Sequence, residues 1–264
     1  MYDFAYHRAT STDEAATLLA NAADGTFMAG GQTLIPTLKQ RLASPSDVID
    51  LGGIAALKGI ERAGDAIVIG AGTRHAEVAA SAEVAGAIPA LAHLADCIGD
   101  PQVRNRGTLG GSIANNDPAA DYPAGVVGLG ATVRTNKREI AADDFFTGMF
   151  ETALEDGEII TVVSFSVPEK AGYAKFPNPA SRYAIVGVMV AKGANGVRVA
   201  VTGAGSHVFR VPDMEAALAG NFAADALDGI SVPANGLNSD LHASAEYRAH
   251  LVSVMAKRAV AAAG

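Results

Sequence analysis

Apolar positions along this chain recur in two rhythms, and the places where the rhythm changes outline its elements. The tetrapeptide Ser11-Thr12-Asp13-Glu14 has the S-x-x-E form of a capping box and predicts a helix near 13–21 with Leu18 and Leu19 inward. Asp24-Gly25 reads as a turn and "TFMAG" at 26–30 as a short buried strand. In "LIPTLKQRL" the apolar residues 34, 35, 38 and 42 form one stripe of a helix. Pro36 falls in its first turn, where a missing N–H costs little. "DVIDL" at 47–51 is another strand, so the first fifty residues read as a β-α-β-type unit.

"AIVIGAG" at 66–72 predicts a strand, followed by helices near 74–81 and 87–98. Residues 99–117 lose both rhythms and read as loop. Asp117 is the expected N-cap, with Pro118 at the first helical position, of a helix near 119–130. "ATVRT" and "REIA" predict a hairpin, and "EIITVVSFSVP" at 158–168 a long strand. Pro168 to Gly172 marks a boundary. Beyond it "GYAKF", "YAIVGVMVA" and "GVRVAVTGAG" are strand-like runs, with Asn195-Gly196 a strong hairpin signal between the last two. A closing helix near 244–262 places Tyr247, Leu251, Val254 and Met255 on one face.

Composition narrows the function. A chain of 264 residues, 49% hydrophobic, can bury a large core. The net charge of −8 argues against a nucleic-acid binder, which needs a basic face. No apolar run reaches membrane-spanning length and no secretory signal opens the chain, so a cytoplasmic, non-transmembrane protein is expected. The one cysteine, Cys97, excludes an internal disulfide and a cysteine-ligated iron–sulfur cluster, and the scattered histidines give no metal frame. Redox chemistry in this chain would need an organic cofactor. Cys97 itself, one turn after His93, reads as a buried small residue rather than a nucleophile.

Two loops share one chemistry. "AGGQT" at 29–33 and "TLGGS" at 108–112 each set a Gly-Gly pair beside a hydroxyl residue. Glycines let a backbone turn sharply and approach a ligand, and amides opening a helix lack internal partners. Each loop alone is ordinary strand-to-helix punctuation. Together they match the two anionic groups of a pyrophosphate and point to a dinucleotide such as FAD, clamped by neutral N–H groups from both sides. Arg104 and Arg106, just upstream of the second pair, read as a solvated surface pair. Gly70-x-Gly72 and Gly203-x-Gly205 each lack the third glycine of a Rossmann fingerprint, and no P-loop is present.

The segments "AGGQTLIPTLKQRL", "DPQVRNRGTLGGSIANNDPAADYPA" and "KFPNPASRYAIVGV" resemble the FAD-binding medium subunits of molybdenum hydroxylases, the xanthine dehydrogenase family, with the closest likeness to the aerobic carbon-monoxide dehydrogenase type. The resemblance runs over the whole chain. It implies an α+β fold: a two-subdomain FAD-binding domain of the vanillyl-alcohol oxidase/xanthine dehydrogenase type over 1–169, with subdomains of about 1–55 and 56–169. A C-terminal domain of the carbon-monoxide dehydrogenase flavoprotein type, a three-stranded antiparallel sheet with helices, would fill 170–264. It implies FAD in this chain, a molybdenum cofactor on a large partner subunit and [2Fe–2S] clusters on a small one, in a dimer of heterotrimers. The FAD would pass electrons from the clusters to an external acceptor.

Carried over by motif, the resemblance places Ala29, Gly30, Gly31, Gln32, Thr33 and Leu34 along the FAD pyrophosphate, together with Thr108, Gly110, Gly111 and Ser112. It places Asp121 near the ribityl or phosphate region, Ile98 over the isoalloxazine, and Ile160 and Lys175 near the ring. No acid–base catalyst and no metal ligand are expected in the chain. Lys175 would stabilise the reduced, anionic flavin, and Tyr183 is expected as a strand residue packed in its sheet. A stand-alone FAD oxidase or dehydrogenase on the same fold, and a structural subunit without flavin, are the alternatives.

Overall fold

The computed structural model describes residues 1–264. Its first helix, Thr12–Asn21, starts where the capping signal lies, with the Ser11 side chain accepting from the Glu14 N–H. The reciprocal bond is displaced by one residue: the Glu14 carboxylate takes the N–H and hydroxyl of Thr10 rather than the N–H of Ser11. That helix covers a small parallel sheet in which Asp47–Asp50 lies between Ala5–Arg8 and Gly25–Met28. The next helix is short, Leu34–Lys39. Arg41 adopts a left-handed φ of 59° and ends it, so Leu42, expected on the apolar stripe, points to solvent.

Five antiparallel strands form the second sheet, in the order Ile60–Ala63, Ala66–Gly70, Ile160–Ser166, Thr132–Thr135, Glu139–Ala141. The long apolar strand is central, paired on both edges. Antiparallel neighbours on Ala66–Gly70 rule out a Rossmann crossover after Gly70. The helix expected near 87–98 runs from Pro89 to Asp96, and a further short helix, Ala82–Ala87, precedes it across Ile88. The stretch expected as loop contains two helices, Pro101–Arg104 and Leu109–Asn115. Three glycines among their residues and flanks hid the periodicity: Gly107, Gly110 and Gly111 pack too closely to leave room for side chains. The following helix begins at Tyr122, capped at Asp121 rather than at Asp117. Asp117 instead makes a local turn, accepting the N–H of Ala119.

The third sheet runs Lys170–Pro177, Ala184–Gly193, Gly196–Thr202, all antiparallel, and gains a two-residue edge strand, Phe209–Arg210, beyond the three expected. Its alternation serves two neighbours. Val186, Val188 and Val190 turn toward the closing helix Ala245–Ala262, whereas Tyr173, Met189 and Ala200 join the core of the five-stranded part. On the closing helix Leu251 and Met255 are buried as expected, together with Arg248 and Val252. Tyr247 lies at the margin, edge-on to Phe176.

Candidate functional site

A cleft of about 820 Å³ opens where the small parallel sheet, the five-stranded sheet and the 181–183 turn meet. Every residue expected at the cofactor lines it except Lys175: Ala29 to Leu34, Ile98, Thr108, Gly110 to Ser112, Asp121 and Ile160. The two Gly-Gly loops touch. A Cβ on Gly111 would stand 3.4 Å from the Ala29 Cβ, and one on Gly30 would stand 2.2 Å from the Arg106 carbonyl oxygen. Gly31 has φ of +72°, a conformation that glycine adopts without strain.

The loops differ in what they offer. From Gly30 through Leu34 no backbone N–H has a partner within the chain, and all five residues line the cleft. In the second loop the donors are committed. Gly110 N–H donates to the Ala71 carbonyl, Gly111 N–H to the Thr108 hydroxyl oxygen at 3.2 Å, and Ser112 N–H to the Thr108 carbonyl. Uncommitted N–H groups are therefore present on the first loop only. The second pair of glycines serves approach, letting its helix abut Ala71 and Ala29. What that side adds is the Ser112 hydroxyl, which makes no bond within the chain, and positive charge.

That charge was underestimated. Arg8, Lys58, Arg74 and Arg106 all line the cleft, and none forms an ion pair. Arg104 turns away from it, donating to the carbonyls of Ile98 and Gly99 and pairing with Asp96. Arg8 and Arg74 escaped the sequence reading; the run Thr73-Arg74-His75 directly after a glycine-rich strand end was the available signal. His75 also lines the cleft. It is buried, its Nδ1 has no partner, and burial together with Arg104 pushes its pKa down to about 4, so the imidazole is neutral at ordinary pH.

At the other end Asp121 is buried beneath the cleft wall. The Tyr173 hydroxyl donates to one carboxylate oxygen at 2.5 Å and Lys175 Nζ to the other at 2.9 Å. Lys175 also donates to the Cys97 carbonyl at 2.9 Å. Burial pushes the Asp121 carboxyl up, against the opposing pull of Lys175 and the Tyr173 hydroxyl. Lys175 is thus spoken for by a carboxylate and is not among the residues that line the cleft. Tyr183 is also displaced from expectation: it precedes its strand, is half exposed and lines the cleft. The Cys97 thiol lies 3.6 Å from His93 Nε2, and burial raises its pKa, which suits a packing residue rather than a nucleophile.

Comparison with known proteins agrees with this architecture. Residues 2–169 match the family described as FAD binding domain in molybdopterin dehydrogenase, and residues 171–263 match the CO dehydrogenase flavoprotein C-terminal domain. The chain belongs to the family of molybdenum hydroxylase medium subunits and is the FAD-binding flavoprotein subunit of an oxidoreductase complex. It is 37% identical to the nicotine 6-hydroxylase medium subunit of Paenarthrobacter nicotinovorans, covering 98% of this chain and 96% of that one. It is 34% identical to the carbon monoxide dehydrogenase medium chain of Hydrogenophaga pseudoflava, with the same coverage. A chain of a crystal structure of Cu,Mo-CO dehydrogenase in its cyanide-inactivated form superposes with a TM-score of 0.90 at 33% identity, over 100% of this chain and 98% of that chain.

Proposed function

We propose that the cleft binds FAD with its pyrophosphate along Gly30 to Leu34, and that the chain relays electrons from [2Fe–2S] clusters of a small partner subunit to an external acceptor. The observation that carries the phosphate placement is the unbroken run of unpartnered amides beside the unpaired Arg8, Arg74 and Arg106. Consecutive donors with nearby positive charge satisfy a pyrophosphate where water is displaced. The cleft volume suits a ligand of dinucleotide size. Thr33 and Ser112 add hydroxyls, Gly110 and Gly111 let the second loop close on the first, and Ile98, Ile160 and Asp121 would lie toward the flavin.

Bound FAD supplies the redox chemistry; the protein's part is to hold it, exclude water and set its electrostatic surroundings. Within the cleft His75 is held neutral and Asp121 is bound by two donors. Substrate oxidation then belongs to a large subunit carrying the molybdenum cofactor. Two relatives of similar identity bear the names of different substrates, nicotine and carbon monoxide, which supports a medium chain that does not choose the substrate. The division of the chain near residue 170, a dimer of heterotrimers and a cytoplasmic location are parts of the same reading. No helix is long and apolar enough to cross a membrane.

Purification of the chain with and without its co-produced neighbours tests the assignment. The expected result is a yellow complex containing molybdenum and iron, active only when assembled. Turnover by the isolated chain would replace this reading with a stand-alone flavoenzyme. A colourless but active complex would reduce the chain to a structural subunit.

A further inference from the structure

Asp121 is the one acidic group at its end of the cleft that is bound by side chains of the C-terminal sheet. Tyr173 and Lys175 project from the same face of the strand Lys170–Pro177, and neither lines the cleft itself. They cross to Asp121, which precedes the helix Tyr122–Gly128 of the first part, and Lys175 crosses again to the Cys97 carbonyl, next to Ile98. The adjoining strand leaves room for this arrangement: a Cβ on Gly187 would stand 2.4 Å from the Tyr173 hydroxyl oxygen. The Lys175 and Asp121 side chains are about equally buried, at 5% and 4% exposure.

We propose that Tyr173 and Lys175 are positioning residues that hold Asp121 as a charge-balanced wall of the cofactor cleft, so that the C-terminal sheet sets the reduction potential of the flavin. The inference rests on the FAD reading above. A flavin gains negative charge when it takes up electrons, and a buried carboxylate at the wall opposes that gain unless a cation matches it. Buried charges are weakly screened and act at longer range than exposed ones. Lys175 provides the match, and the Tyr173 hydroxyl draws charge from the remaining oxygen. Lys175 thereby affects the flavin through Asp121.

Redox titration of the assembled, FAD-loaded complex, followed by flavin absorbance, tests this. In Asp121→Asn the Lys175 cation is unmatched, and the flavin potential is expected to rise. In Asp121→Asn/Lys175→Met neutrality is restored, and the potential is expected to return toward that of the parent. A single variant at the parent's potential or below it, or a double variant that stays at the single variant's value, would overturn the proposal. Should Asp121→Asn fail to retain FAD, Tyr173→Phe carries the test. It keeps both charges but frees one carboxylate oxygen, and the potential is expected to fall; an unchanged or raised value would overturn the proposal. A parent complex without flavin would instead remove the FAD reading on which the inference stands.

Discussion

His75 shows how one side chain links burial, charge and stability beside the cleft. Its ring packs 5.3 Å from that of Tyr122, and neither its Nδ1 nor the Tyr122 hydroxyl has a partner. A cation there would have neither solvent nor an acceptor, and Arg104 opposes it further, so the folded-state pKa falls to about 4. The sign of the pH dependence follows. Between the ordinary histidine value of about 6.5 and the folded value, the unfolded chain binds more protons than the folded one. The stability contribution is complete above the unfolded value and is lost as pH falls toward 4, by up to roughly 3 kcal/mol. Urea unfolding of the chain at pH 7 and pH 4.5 should show this loss, and His75→Phe should reduce the difference between the two pH values. Equal pH dependence in parent and variant would mean that the imidazole is not held neutral by the fold. Nothing in the spacing of His75 revealed this. A histidine one residue after an arginine at a helix start reads as exposed, whereas the packing of Tyr122 and Gly107 encloses it.

Among the elements, the helix Leu109–Asn115 carries the second Gly-Gly pair, and its end is fixed by one asparagine. Asn116 is buried with φ of +43°, and its side-chain amide donates to the carbonyls of Gly148 at 2.8 Å and Glu151 at 2.7 Å. The Asn116 backbone carbonyl also accepts the Phe150 N–H, so the hairpin formed by Phe146–Gly148 and Glu151–Thr152 is pinned to the helix that approaches the first loop. Asn116→Ala strands two carbonyls and places a Cβ-bearing residue without side-chain bonds in left-handed backbone. We expect a loss of about 2–4 kcal/mol in chemical denaturation. Asn116→Gly, suited to the backbone but lacking the donor, should recover part of that loss, and equal stability of the two variants would exclude a backbone contribution. The same elements show what sequence conveys. Long apolar, β-branched strands such as Ile160–Ser166 and Ala184–Gly193 were legible, as was the turn before Gly196. Both glycine loops were legible as a pair. The helices inside 99–117 were not, because glycine needed for close approach reads as a helix breaker. The committed amides of the second loop were also invisible, since their acceptors at Ala71 and Thr108 follow from packing rather than from motif.

At the scale of the whole molecule, two family regions share one core. Tyr173, Met189, Ala191 and Ala200 of the C-terminal sheet lie in the same apolar cluster as Leu91, Leu94 and Val126 of the cofactor-binding part. The helix Tyr122–Gly128 meets that sheet through glycines: a Cβ on Gly128 would stand 2.6 Å from Met189 Cγ, and one on Gly125 would stand 3.9 Å from Met189 Cε. Asp121 heads the same helix, so the contact that seats the sheet also seats the wall of the cleft. Neither part can then expose its shared face without uncovering apolar surface of the other, and the buried Asp121–Lys175 pair would be separated as well. Calorimetry of the full chain should accordingly show one unfolding transition. Gly128→Val, which inserts bulk against Met189, should lower that single transition, by the equivalent of about 1–3 kcal/mol for an overpacked core. A parent that melts in two steps, or a variant in which the C-terminal part alone melts early, would show that the shared core does not couple the two regions. In that case the seating of the sheet and the geometry of the cleft would be independent, and the route by which Tyr173 and Lys175 act on the cofactor would narrow to the single contact at Asp121.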